Sequence, residues 1–325
     1  METVNKDAGS VINASDQMIM MNSSEIYAGV YNGNEWITTR LTDNQQADMA
    51  PVVATNGTRA VVAWRNAASS AANKTAEDLA DITNFTEKDV ILYRVYDGTQ
   101  WSGTYTLYNG TSGAVKGISM AMLEDGTTAV TYTLDTDDDA VTAYDRDVYY
   151  AVIDNENGDV KRNVRATLDA YLDENPQITT VTFPNGGDEE YFVLGWFSQQ
   201  AVASDTADAM SDTDSEAASD TLSDVRLMAF DGDSIYAPLL PDSISRAADA
   251  EDVEITSNFR FVKNASTIND LSIVWVQRAG ETSEGIDNKD YMEKDALKGV
   301  KFYTFGQNSE MICLPYINEN YDMGF

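Results

Sequence analysis

The chain has 325 residues, 43% hydrophobic and 10% aromatic, which is the composition of a folded protein with a sizeable core. Its 21 basic against 54 acidic residues give a formal charge of −33, a field that repels phosphate backbones and anionic membrane surfaces, so nucleic acid and such membranes are poor partners. With no histidine and a single cysteine, it can build no Ser-His-Asp or Cys-His centre, no His-ligated zinc, no thiolate cluster and no intrachain disulfide.

In chain order, the first strands read at residues 17–21, 25–31 and 36–41, the last two around Asn32-Gly33, with a weaker strand near Val11. A pair at 49–54 and 59–64 turns at Asn56-Gly57, and after a long segment residues 89–96 turn at Asp97-Gly98 toward Trp101. The same two pairs return at 116–132 around Asp125-Gly126 and at 147–153 with a looser turn over 154–158. They return again at 176–196 around Asn185-Gly186 and at 224–236 around Asp231-Gly232. The last and most worn copies lie at 253–275 and 299–307. Period-two patterning with β-branched and aromatic residues makes these strands, and the Asn/Asp-Gly pairs, tolerant of positive φ, predict tight type I′ hairpins. The second strand of each first pair ends on a large aromatic: Trp64, Tyr132, Trp196 and Trp275.

The repeating unit is therefore strand A, turn, strand B, long loop, strand C, turn, strand D. That predicts an all-β fold, a β-propeller of about five four-stranded antiparallel blades, either a closed five-bladed ring or part of a six- to eight-bladed one. The blades fall at 11–42, 47–108, 113–168, 173–240 and 250–314 of a single domain over 1–325. A β-sandwich also has short strands but does not repeat a four-strand unit with the same turns in the same places. A Thr-capped, acid-started stretch at 75–84 predicts one short helix. Residues 198–223, nearly all Ala, Ser, Thr and Asp, read as a low-complexity acidic loop.

The B–C loops at 66–88, 133–146, 197–223 and 277–298 are long and the turns opposite are tight, so elaboration sits on one face, where binding is usually built. Drift gives the same pattern, since loops tolerate insertion. These loops are acidic. Asp135, Asp137, Asp138 and Asp139 are the best candidate ligands for Ca²⁺, which takes six to eight oxygens, although the EF-hand spacing is missing and solvated acids give the same sequence. Asp89, Asp147 and Asp224 precede C strands, and Asp48, Asp173 and Glu251 or Asp252 precede A strands. They form either a ring of acids or side chains that close loops on backbone amides, and recurrence in each blade favours the latter. Trp64, Trp196 and Trp275 offer sugar-stacking faces, but blade-repeated positions point to packing between blades. Cys313, in Met311-Ile312-Cys313-Leu314, reads as a small buried hydrophobe.

The segments Asp89-Val90-Ile91-Leu92-Tyr93-Arg94-Val95-Tyr96-Asp97-Gly98-Thr99-Gln100-Trp101 and Ala50-Pro51-Val52-Val53-Ala54-Thr55-Asn56-Gly57, with Ala60-Val61-Val62-Ala63-Trp64-Arg65, resemble sialidase-type (BNR-type) propeller repeats of secreted and surface bacterial proteins. The resemblance implies the propeller fold and an extracellular or cell-surface setting. The Asp-box Ser-x-Asp-x-Gly-x-Thr-Trp is absent from each blade, the Arg-Ile-Pro motif is missing, and no arginine triad can be assigned. No residue carries over as catalytic, and no cofactor-binding residue is identified. No run of about 18 apolar residues could span a membrane, and residues 1–7 lack a signal-peptide pattern. Either a signal has been removed or the chain is a piece of a longer protein with flanking domains, the expectation favoured here because the repeats begin partway through a unit. The expected function is a non-catalytic extracellular module binding carbohydrate or protein through one acidic, loop-rich face. The alternative is a propeller-fold glycoside hydrolase using paired carboxylates, chemistry that needs no histidine.

Overall fold

The period-two runs become strands throughout the residues that the structure, a computed structural model, describes: 24–44, 46–67, 89–110, 113–135, 145–182, 190–201, 221–232, 253–263, 271–279, 299–304 and 312–315. The chain divides into two compact units, residues 1–168 and 169–325.

In the first unit, β1 (Tyr27–Tyr31) and β2 (Trp36–Arg40) form a two-stranded sheet. β3 (Ala47–Thr55), β4 (Ala60–Ala67), β5 (Val90–Tyr96) and β6 (Tyr105–Tyr108) form a four-stranded sheet in chain order. β7 (Ala114–Met122), β8 (Thr128–Asp135), β9 (Arg146–Ile153) and β10 (Val160–Arg165) form another. In the second unit, β11 (Leu172–Thr182), β12 (Glu190–Ala201) and β13 (Thr221–Phe230) form a three-stranded sheet. β14 (Val253–Lys263), β15 (Leu271–Ala279), β16 (Gly299–Thr304) and β17 (Ile312–Pro315) complete the set. All ladders are antiparallel between consecutive strands. This is the blade of a β-propeller, so the fold class is the one the repeats predict.

Blades pack face to face through alternating side chains. Ile91, Tyr93 and Val95 of β5 meet Val115, Val130 and Tyr132 of the next sheet in one core, and β8 is buried along its whole length. In the second unit, Val193 and Phe197 pack with Leu227 and Phe259.

The first strand of three sheets carries a bulge with a left-handed residue: Ala50 (φ 50°), Gly117 (φ 54°) and Asn175 (φ 52°). Ala50-Pro51 and Asn175-Pro176 share one solution, because a bulge frees a backbone position from donating and so tolerates proline.

The tight turns differ from the predicted type I′. Tyr31 pairs with Trp36 and Tyr96 with Trp101, leaving four-residue loops. Only the glycines, Gly33, Gly57 and Gly98, have positive φ there (98°, 94° and 99°), whereas a type I′ turn needs it at both central residues. The residue before each glycine supplies the rest. Asn32 Oδ1 accepts from the amides of Asn34 (2.9 Å) and Glu35 (3.0 Å). Asn56 Oδ1 accepts from those of Thr58 (3.1 Å) and Arg59 (2.8 Å). Asp97 Oδ1 accepts from those of Thr99 (2.8 Å) and Gln100 (2.9 Å). The dipeptide thus combines a side-chain acceptor with one left-handed residue.

Two further expectations change. The low-complexity loop is shorter than predicted, because the ladder of β12 with β13 continues from Ser198↔Asp224 to Ala201↔Thr221. Backbone pairing there does not need large side chains. The B-strand aromatics are also not terminal, since β4 runs past Trp64 to Ala67. The predicted helix at 75–84 lies outside the described residues.

Candidate binding surface of the first sheet

Of the acids read as preceding strands, Asp89 does so, whereas Asp48, Asp147, Asp173 and Asp224 lie inside β3, β9, β11 and β13, whose ladders begin earlier than the apolar pattern; the scaffold holds them. Asp48 is 3% exposed; its Oδ1 accepts from Trp64 Nε1 (2.8 Å) and Asn66 Nδ2 (2.6 Å), and its Oδ2 from Asn44 Nδ2 (2.9 Å). Asp89 Oδ2 accepts from the Val115 amide across the seam at 3.0 Å, while Arg65 Nη1 donates to the Val115 carbonyl at 3.3 Å. Burial pushes the Asp89 carboxyl up, against the attraction of Arg65, whose Nε lies 3.7 Å away. Asp147 pairs with Arg165 and accepts from Thr167 Oγ1 (3.2 Å), which itself accepts from the Val148 amide (3.0 Å). Glu25, Arg40 and Thr42 repeat that device: Arg40 Nη2 reaches Glu25 at 2.9 Å and Thr42 Oγ1 accepts from the Ile26 amide at 2.8 Å. Asp173 and Asp224 are buried. Asp89 thus holds a backbone amide of the next sheet, whereas Asp48 and Asp147 are held by side-chain donors rather than closing loops on nearby amides; Glu251 and Asp252 lie outside the described residues.

Of the calcium candidates, Asp135 ends β8, is 2% exposed and has Arg146 Nε at 3.3 Å. Asp137, Asp138 and Asp139 lie outside the described residues. Among the described residues no three metal-ligating side chains cluster.

The opposite ends of the strands are tied by turn-to-turn bonds. Asn56 Nδ2 donates to the Glu124 carbonyl (3.0 Å) and Asn155 Nδ2 to that of Asp125 (3.1 Å). The Tyr93 hydroxyl donates to the Gly158 carbonyl (2.8 Å), and burial pushes its pKa up to about 12.

Trp64 and Trp196 are buried, which assigns them to packing. The Trp275 side chain lies outside the described residues. The exposed rings are elsewhere, on the first sheet. β1 alternates, with Ala28 packing inward against Ile26, Leu41, Val62 and Trp64 and with Tyr27, Gly29 and Tyr31 exposed on the other side. Tyr27, Tyr31 and Trp36 expose 59%, 54% and 69% of their surface, far above a packed aromatic. The Tyr31 and Trp36 rings lie 5.6 Å apart at 48°. Gly29 makes this possible, since a Cβ there would come within 3.2 Å of Trp36 Cε3. The result is a strip of three rings with two phenol hydroxyls, of which Tyr31 donates to the Gly33 carbonyl at 3.0 Å. Beside β1 lies a groove of about 460 Å³ bordered by Pro51, Val52, Val62, Tyr96 and Trp101.

Sequence reasoning missed this strip because Tyr31…Trp36 repeats Tyr96…Trp101, a pair 5.2 Å apart whose Trp101 packs against the core between the first two sheets. The available signal was Gly29, where the second hairpin has Arg94 at the same distance from its turn.

No family model and no curated protein sequence matches the chain. Solved structures of similar fold include the NanB sialidase of Streptococcus pneumoniae, at 13% identity over 53% of this chain and 24% of that one, with a TM-score of 0.31. The α-L-arabinanase of Penicillium chrysogenum matches at 10% identity over 88% of this chain and 69% of that one, with a TM-score of 0.39. A Trypanosoma rangeli sialidase matches at 8% identity over 90% of this chain and 43% of that one, with a TM-score of 0.38. The chain thus spans about a quarter of the NanB length and under half of the T. rangeli length. These likenesses concern the fold alone. No helix among the described residues is long and apolar enough to cross a membrane.

Proposed function

We propose that the chain is a non-catalytic β-propeller module that binds carbohydrate, with Tyr27, Tyr31 and Trp36 as its sugar-stacking strip. One observation carries this reading: three large rings stand exposed on one two-stranded sheet, two of them, Tyr31 and Trp36, in contact at 5.6 Å, with Gly29 leaving room for the Trp36 ring. A solvated ring pair of this kind presents an apolar face to the C–H face of a sugar while its hydroxyls reach polar groups. The scaffold acids described above are engaged by side-chain and backbone donors within and between the sheets. A secreted or surface setting, within a longer protein whose acidic loops form a second contact face with Ca²⁺, belongs to the same proposal.

A second reading is a propeller-fold glycoside hydrolase, the class to which the sialidases and arabinanase above belong. It places a carboxylate pair in the acidic loops, with the two carboxyls about 5–10 Å apart as this chemistry requires.

A glycan array probed with the full chain, with and without Ca²⁺, tests the first reading. Binding should appear, and Trp36→Ala should weaken it at least about tenfold, the loss of one stacking contact of about 1.4 kcal/mol, with circular dichroism unchanged. Silence on the array overturns it. Release of reducing ends from any arrayed glycan moves the assignment to the hydrolase.

A further inference from the structure

Asn32-Gly33 and Asn56-Gly57 are the same dipeptide in the same four-residue turn, and all four residues are exposed. Each asparagine closes its turn through its own amide, which donates to the carbonyl of Glu35 at 3.1 Å or of Arg59 at 3.2 Å. In each, Oδ1 accepts two backbone amides further on. The remaining polar atoms differ. The Gly57 amide donates to Thr55 Oγ1 at 3.0 Å, and Asn56 Nδ2 donates to the Glu124 carbonyl at 3.0 Å. Tyr31 stands where Thr55 does, and its hydroxyl turns to the Gly33 carbonyl instead. Among the described residues, the Gly33 amide and Asn32 Nδ2 have no hydrogen-bond partner. These two atoms decide the chemistry of an Asn-Gly pair. The glycine nitrogen, unhindered by a Cβ, is the nucleophile of an intrachain ring closure, and Nδ2 is the leaving group. Donors on Oδ1 stabilise the charge that develops there during attack.

We propose that Asn32 is a site of spontaneous deamidation and that Asn56, in the same turn, is held from it by the Thr55 and Glu124 bonds. The Gly33 nitrogen bonds to Asn32 Cγ, the Cγ–Nδ2 bond breaks, and ammonia leaves with the proton that the Gly33 nitrogen gives up through solvent. Water then opens the cyclic imide at either carbonyl. Attack at Cγ leaves an aspartate on the original backbone. Attack at the main-chain carbonyl leaves the chain running through Cγ, one methylene longer. The two products act differently on the ring strip. Asp97 fills this position in the second hairpin with the same acceptor bonds, so the aspartate product keeps the turn. The longer chain draws Oδ1 into the backbone, takes the acceptor from the amides of Asn34 and Glu35, and shifts Trp36 relative to Tyr31, parting rings that now lie 5.6 Å apart. The turn that presents the strip therefore also limits its lifetime, whatever the strip binds.

Peptide mass spectrometry of the full chain, kept folded in warm, mildly alkaline buffer and digested at intervals, tests the proposal through the gain of about 1 Da at each asparagine. Asn32 should convert at least about tenfold faster than Asn56, a barrier difference of about 1.4 kcal/mol. Isoaspartyl methyltransferase should label the Asn32 peptide. In denaturant, where neither turn exists, the two should convert at one rate. Thr55→Val, which releases the Gly57 amide, should speed Asn56 and leave Asn32 unchanged. Equal rates in the folded chain overturn the proposal. So does an Asn32 that stays intact in the folded chain while the denatured chain converts, or an Asn56 that Thr55→Val does not speed.

Discussion

Asn32, Asn56 and Asp97 each turn a side-chain oxygen onto the amides that follow, and Asp97 shows what this does to an ionisable group. Its carboxylate takes the Thr99 hydroxyl at 2.7 Å together with the amides of Gln100 and Thr99. These bonds, the Thr99 hydroxyl first, lower its pKa from 3.8 to about 2. A carboxyl depressed in the fold stabilises it above the unfolded value and loses that contribution as pH falls through the folded one. The turn should therefore hold down to about pH 4 and weaken between pH 4 and 2. A carboxyl-carbon NMR titration should give Asp97 a midpoint near 2, and Thr99→Val should move it back toward 3.8. An unchanged midpoint in Thr99→Val would show that the hydroxyl bond is not the cause.

At the scale of the element, the sheets meet through clamps that cross from one blade to the next. Asp89 and Arg65 together hold both the amide and the carbonyl of Val115. Removing the carboxylate in Asp89→Ala leaves a buried amide without its acceptor and should cost about 1–3 kcal/mol in denaturant unfolding. Its pH dependence runs opposite to that of Asp97. Burial raises the Asp89 pKa, so its contribution is complete below the unfolded value of 3.8 and declines as pH rises through the folded value. The Asp89→Ala penalty should thus be larger at pH 4 than at pH 7; a larger penalty at pH 7 would make the Arg65 attraction dominant.

The strands and their antiparallel order were legible in the sequence because alternation and Asn/Asp-Gly pairs are local signals. The turn type was not, since glycine tolerance is visible in a dipeptide but the acceptor bonds of Asn32 or Asp97 depend on how the next residues fold. The extension of β12 through Ala201 was hidden because small polar residues carry no strand signature while the backbone ladder continues regardless. The ring strip was hidden by its own repetition: Trp36 and Trp101 follow the same turn, and only packing makes one exposed and the other half-buried.

For the molecule as a whole the dominant quantity is the charge of −33. Self-repulsion of that size opposes compaction, and salt relieves it as the screening length falls from about 30 Å at 0.01 M to about 8 Å at 0.15 M. The midpoint of thermal unfolding should rise over that interval, read by circular dichroism. A fall would mean that the ion pairs of Arg40, Arg146, Arg165 and Arg226 outweigh the net repulsion.

One bond between neighbouring blades has a use of its own. The Tyr93 phenol is 1% exposed and donates to the Gly158 carbonyl in the next sheet, with its pKa at about 12 against an ordinary 10.0. Near pH 11 it stays protonated while the two blades remain joined and ionises once they part. The Tyr93 ring therefore serves as an internal indicator, and its own ring-carbon NMR signal in alkali, resolved from those of the other tyrosines, reports the parting of two blades.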